Sequence, residues 1–155
     1  MRTVLLIAIA CLPLIGRAAE TCPWLNAATA GGVLGGPITR ATTRRAAAGD
    51  DASCEFIRQD GSLLFELRIE VETTPSAAKD FSAYAARCHS AAVPLKAIGN
   101  QALACSDGQL AEQVVGRVRD RVFLIRIGTN DRSAQTSALR DKARKVAEQV
   151  AGILF

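Results

Sequence analysis

The chain predicts an α+β sandwich, with an antiparallel sheet of about five strands, two or three packing helices and two disulfides. Three observations lead there. Residues 53–59 and 62–73 flank Asp60-Gly61, a favourable two-residue hairpin turn, and on the return strand Leu63, Phe65, Leu67, Ile69 and Val71 alternate with Leu64, Glu66, Arg68, Glu70 and Glu72. Residues 133–154 carry Leu139, Ala143, Val146, Ala147, Val150 and Leu154 at helical spacing, one apolar stripe on an otherwise polar segment. Four cysteines, Cys22, Cys54, Cys88 and Cys105, follow an N-terminal stretch with the grammar of an export signal.

That N-terminal stretch sets the compartment. Met1-Arg2-Thr3 is cationic, residues 4–15 are apolar apart from Cys11 and Pro13, and Gly16-Arg17-Ala18 places small residues where a signal peptidase reads. The apolar run is too short to span a bilayer, so residues 1–18 read as a cleaved signal peptide and residues 19–155 as one α+β domain. Cys11 follows Ala8-Ile9-Ala10, but the apolar region before it is short and Ala8 stands where a lipidation signal prefers Leu. The mature form is therefore expected free in the periplasm or secreted, with no stable membrane insertion. Removing residues 1–18 leaves 137 of the 155 residues, enough for a single core. Arg2 and Arg17 leave with the signal, so 17 of the 19 basic residues face 15 acidic ones, a balance of +2. That small excess argues against nucleic acid or an anionic membrane surface as partner. Arginine far outnumbers lysine and alanine is abundant, the coding habit of a GC-rich bacterium.

Along the mature chain, Thr21 caps a short helix with Pro23 in its first turn, and Gly31-Gly32 stops it. Residues 38–51 have no clear period and read as a loop with an edge strand at its start. The hairpin follows. Thr74-Pro75 starts a second helix, with Pro75 at its first position, Phe81, Tyr84, Ala85 and Cys88 on one face, and His89-Ser90 at its end. Residues 102–106 form a short strand containing Cys105. Residues 111–118 and 121–128 form a second hairpin around Arg119-Asp120, whose Val122-Phe123-Leu124-Ile125 is apolar on both faces and predicts a central strand covered on both sides or shielded by a partner. The terminal helix has Asp141–Lys145 and Arg144–Glu148 four apart on its polar side, and Phe155 is expected under the sheet's rim. Of the three possible cysteine connectivities, Cys22–Cys54 and Cys88–Cys105 suit this placement: Cys88 on a helix faces Cys105 on a strand, and the other two pair by elimination. Trp24 is expected to pack in the core beside Cys22–Cys54.

Cys22-Pro23-Trp24-Leu25 before a Gly-rich turn, Cys54-x-Phe56 before a hairpin, Ile98-Gly99-Asn100-Gln101-Ala102, an arginine-flanked hairpin and a terminal Leu/Ala/Val helix occur together. The pattern resembles small extracytoplasmic domains of actinobacterial envelope lipoproteins and of the sensor part of mycobacterial serine/threonine kinases. The resemblance implies a disulfide-stapled binding or sensing module and carries over no ligand and no catalytic residue. The chain departs from the pattern in having no credible lipidation cysteine.

Nucleophilic catalysis needs a Ser or Cys beside a His. His89 is the one histidine, next to a cysteine read as disulfide-bonded, with no Gly-x-Ser-x-Gly or Ser-x-x-Lys motif. It reads as a helix-end imidazole near a carbonyl, and a lone imidazole is a poor metal site. Gly31-Gly32 and Gly35-Gly36 are followed by no Lys-Ser/Thr and make no phosphate loop. Glu66, Glu70 and Glu72 read as a solvated sheet face balanced by Arg68. No catalytic, cofactor-binding or metal-ligating residue is assigned, and no cofactor is expected. Two basic groups remain, Arg40, Arg44 and Arg45 in the 38–51 loop and Arg117, Arg119, Arg121 and Arg126 around the second hairpin. The second is the candidate anion or partner surface, because guanidinium forks match carboxylate and phosphate. The expected function is a non-enzymatic binding or sensing module of the bacterial cell envelope, its partner a protein or envelope ligand. The alternative is a periplasmic or secreted inhibitor or immunity-type protein that plugs a hydrolase with the 38–51 loop or the Arg119-Asp120 turn. Protein exported by a bacterium should begin at Ala19 and contain no free thiol, as read by intact mass and non-reducing peptide mapping; an uncleaved or lipidated N-terminus would overturn the export reading.

Overall fold

The computed structural model describes residues 21–46, 51–108 and 110–155, so the expected signal segment, Cys11 and residues 47–50 of the expected loop lie outside it. The elements in chain order are α1 (Ala27–Leu34), β1 (Arg40–Arg45), β2 (Ala52–Asp60), β3 (Leu63–Thr73), α2 (Ala77–Ala85), β4 (Val93–Leu95), β5 (Gln101–Ser106), β6 (Ala111–Val118), β7 (Arg121–Thr129) and α3 (Thr136–Leu154). The strands form one sheet in the order β1-β2-β3-β7-β6-β5-β4, and every neighbouring pair is antiparallel. The α+β class holds, and Cys22–Cys54 and Cys88–Cys105 are the two disulfides.

The sheet has 7 strands, more than expected, and the surplus lies at its two edges. An edge strand is paired on one side only and need not alternate, so its sequence carries little signal. Arg40–Arg45 is exposed almost throughout, and Val93–Leu95 is three residues long with Pro94 at its centre.

Helix boundaries differ from expectation for local reasons. α1 is capped by Asn26, whose Oδ1 accepts from the Thr29 amide at 2.8 Å, and it runs through Gly31-Gly32 to a left-handed Gly35. Gly31 belongs inside the helix because the exit loop folds back onto it: a Cβ there would lie 2.8 Å from the Gly36 carbonyl oxygen. α2 starts at Ala77, not at Pro75, because Thr74 organises the approach, its Oγ1 accepting from Ser76 N–H at 3.1 Å and donating to Asp80 at 2.6 Å. The helix ends at Ala85, before Cys88. The Arg87 and Cys88 amides tighten the last turn, and the His89 amide then donates to the Ser106 carbonyl, which draws the chain toward β5.

α1 and α3 cover one face of the sheet, and α2 covers part of the other. The larger core joins Leu34, Leu67, Ile69, Phe123, Ile125, Ile127 and the α3 stripe expected from the sequence, all buried. Trp24 joins it at 4% exposure. The smaller core is Ala77 and Phe81 of α2 against Val115 and Val122, with Tyr84, Leu103 and Leu124 at its margin. β7 is thus central and covered on both sides along Val122–Ile125, as its unbroken apolar run predicted. Gly116 gives Phe123 its place, since a Cβ there would sit 2.0 Å from the ring's Cζ. Arg144 and Glu148 pair across one helical turn at 2.9 Å. Phe155, expected under the rim, is instead 59% exposed, because it follows the last residue of α3 and the stripe closes with buried Leu154.

One charge lies under α3. The Glu112 side chain is fully buried on β6, its Oε2 accepts from Arg140 Nε at 2.7 Å, and its Oε1 has no hydrogen-bond partner among the described residues. A buried carboxylate held by a single arginine is costly once that arginine is gone, whereas an apolar pair of similar volume costs little. Arg140→Met should lower stability by roughly 3–5 kcal/mol, and Glu112→Leu added to it should restore most of the loss in urea unfolding. Additive losses in the double variant would show that the ion pair is not the source.

Candidate functional site

The period of two that sends Leu67, Ile69 and Val71 into the core sends Glu66, Arg68 and Glu70 to the other face, and α2 does not reach across all of it. The uncovered part spans β1, β2, β3 and the start of β6 with the end of β7. In register across it stand Thr42 with Glu55, Glu55 with Arg68, Arg68 with Arg126, and Arg126 with Gln113. Gln113 in turn donates toward the Cys105 and Cys88 sulfurs, at 3.2 and 3.7 Å. This row is the candidate functional site.

Its electrostatics are unusual in one respect. Arg68 and Arg126 lie directly opposite each other on adjacent strands, where like charges oppose pairing. Carboxylates hold them there. Arg126 Nε donates to Asp107 Oδ2 at 2.6 Å and its Nη1 lies 3.5 Å from Glu66, while Arg68 pairs with Glu70. Two further guanidinium groups flank the pair and have no carboxylate partner among the described residues: Arg44 on β1, and Arg87, which stacks over the Tyr84 ring at 4.9 Å. Three depressions cross the face. One of about 120 Å³ includes Arg44, Ser53 and Arg68, one of about 290 Å³ includes Arg68, Tyr84, Arg87 and Arg126, and one of about 380 Å³ includes Glu66, Asp107, Arg126 and Asn130. Arg68 is common to the first two and Arg126 to the last two, so the depressions form one interrupted groove.

The four arginines singled out around the second hairpin are not brought together. Arg126 is in the groove. Arg117 and Arg119 line a separate depression at the start of α2. Arg121 pairs with Val118 and Thr73 at the outset of β7, on the opposite face from its neighbour Val122. His89 is 68% exposed and its Nδ1 lies 3.8 Å from Asp107, not beside a backbone carbonyl, with the neighbouring Cys88 in a disulfide. Among the described residues no group of three or more His, Cys, Asp or Glu side chains is placed to hold a metal ion. Glu66, Glu70 and Glu72 lie on the wet face, where Glu66 and Glu70 hold the arginine pair. The sequence singles out Arg44 with Arg40 and Arg45, but in a loop and not on a strand of the sheet, and it misses Arg87. No signal is available for Arg87, which follows the end of α2.

No protein-family model, curated protein or solved structure matches the chain. Two disulfides suit an oxidising compartment, and among the described residues no helix is long and apolar enough to cross a membrane.

Tyr84 reports on this face. Its phenol is pushed above the ordinary tyrosine range, first by burial and then by the negative charges of Glu72 and Glu70. A phenol that holds its proton more tightly when folded contributes stability below about pH 10 that is lost as pH rises through its folded value. Tyr84 is the one tyrosine of the chain, so an ultraviolet titration reads it alone. It should ionise above the free-tyrosine value, and Glu72→Gln should lower the midpoint only in part. A midpoint at or below the free value would sink this account of the groove.

Proposed function

We propose that this protein is an exported, non-enzymatic binding module of the bacterial cell envelope, and that the half-open sheet face receives an acidic ligand or partner. The observation that carries this reading is the Arg68–Arg126 pair: two like charges kept side by side at the centre of an uncovered face, with Arg44 and Arg87, which have no carboxylate partner among the described residues, at its margins. Glu66, Glu70 and Asp107 offset the repulsion between them, and a carboxylate or phosphate set between the guanidinium forks would add charge-assisted hydrogen bonds. The reading is non-catalytic because the groove's hydroxyls have no imidazole beside them and the Tyr84 phenol, which faces Glu72, holds its proton more tightly than a free tyrosine; the one imidazole is turned to Asp107 and its neighbouring sulfur is oxidised. Export is part of the proposal, and the two disulfides support it. The alternative, a secreted inhibitor or immunity-type protein, needs a projecting plug, either the connection between β1 and β2 or the Arg119-Asp120 turn.

Charge reversal at the two marginal arginines tests the proposal with little risk to the fold. Arg44→Glu and Arg87→Glu together should leave the melting temperature within a few degrees of wild type and weaken capture of the envelope partner by about tenfold or more, an effect that added salt mimics in the wild type. Equal capture by variant and wild type, or none by either, would overturn it.

A further inference from the structure

A second depression lies apart from the groove, between the β6–β7 turn and the approach to α2. It encloses about 450 Å³, with Lys79, Arg117, Arg119 and Asp120 among its lining and the Thr74–Ala78 segment as its wall. We propose that it binds a single oxyanion group, a phosphate or a carboxylate borne by a small ligand.

Three observations point the same way. First, the lining carries three cations against one carboxylate, and none of the three cations has an ion-pair partner among the described residues. Asp80, the other acidic residue nearby, is engaged by the Thr74 hydroxyl at 2.6 Å. Second, Arg117 has a buried Nε with no acceptor among the described residues. A guanidinium N–H removed from water and left unbonded is costly, and an oxyanion at this arginine would supply the acceptor. Third, Arg119 occupies a left-handed conformation, φ 55°, at the first central position of a two-residue hairpin turn, where glycine is the usual occupant.

The surroundings impose that conformation. The Arg119 amide donates to Asn100 Oδ1 at 2.6 Å, the Asn100 amide donates to the Arg117 carbonyl at 2.8 Å, and the Asp120 carbonyl accepts from Thr74 at 2.8 Å. A turn fastened at three points to β5's approach and to α2's approach holds a strained residue in place. Strain retained at a position that glycine would fill without penalty has a reason if the arginine side chain is needed there. Arg117 and Arg119 are two residues apart across the end of β6, and Lys79 comes from the helix opposite. Charges from both walls therefore converge on one volume.

The site is independent of the groove: Arg68, Arg87 and Arg126 do not line it, and it adjoins the opposite end of α2. The test uses the mature, disulfide-bonded protein, with inorganic phosphate and citrate titrated separately against chloride at constant ionic strength and followed by amide and arginine Nε–Hε resonances. Saturable shifts centred on Arg117 and residues 76–79 are expected. A stronger response to phosphate identifies a phosphate-bearing ligand, and a stronger response to citrate a carboxylate-bearing one. Arg117→Gln and Arg119→Gly should each weaken the response by roughly tenfold, while Arg119→Gly melts at or above wild type because the left-handed strain is gone. Arg87→Glu, which disables the groove, should leave the titration unchanged, so failure of one site is read separately from failure of the other. Absence of any saturable shift, or wild-type affinity in both Arg117→Gln and Arg119→Gly, would overturn the proposal.

Discussion

An antiparallel sheet has two faces, and the described residues supply one long helix and two short ones to cover them. That inequality organises the rest. α3, at 19 residues, and α1 together bury the central part of one face, and its strand positions are accordingly apolar from Phe56 through Ile69 and Ile125 to Val114. α2, at 9 residues, spans about 14 Å at the rise of an α-helix and covers only the part of the other face over β6 and β7. Strand sequences follow the cover above them. β6 and β7 are apolar in both directions beneath α2 and become polar at Gln113 and Arg126, where the helix no longer reaches.

The disulfides act where cover is thinnest. Cys22–Cys54 fastens the segment leading into α1 to β2, next to an edge, and Cys88–Cys105 fastens the chain leaving α2 to β5. Closing loops of this length stabilises a fold by about 3–4 kcal/mol each in the chain-entropy model, comparable to burying one or two large side chains. Cys54 and Cys105 are themselves fully buried, so each bridge also adds a packed sulfur to the sheet. The second bridge has a further consequence. It holds Arg87 and His89 beside the groove although neither belongs to a regular element, and it lets a very short helix present an ordered C-terminal side.

What was legible in the sequence divides along the same line. Periodicity needs burial on one side and water on the other, so the first hairpin, the α3 stripe and the doubly covered run of β7 were all readable, and the cysteine pairing followed from their placement. β1 and β4 were not readable as full strands, because an edge strand's residues answer to a single neighbour. Gly31-Gly32 looked like a helix stop; only the returning Gly36 carbonyl explains why a glycine is required inside the helix. The arginines were visible as residues but not as a site. Arg117, Arg119, Arg121 and Arg126 are close in sequence, yet alternation sends Arg117 and Arg121 to opposite faces, and Arg126 lies four positions beyond Val122 along β7. Arg68 and Arg126, far apart in sequence, meet through the β3–β7 pairing that no local pattern announces.

The shortness of α2 also accounts for where ligands are proposed to dock. A helix that covered the whole face would have buried its termini at the sheet's margins and required apolar residues along β3. A helix of 9 residues instead leaves both termini above the sheet, each beside an arginine supplied from a strand below, Arg117 at its start and Arg126 near its end. The sheet's edges supply neither arginine: β6 and β7 are interior strands with partners on both sides, so their backbone is fixed by two ladders. Side chains on such strands are held more tightly than side chains on loops. The chain thus keeps its fixed cations at the two places where its own cover ends, which is where an anionic group from outside would find both charge and room.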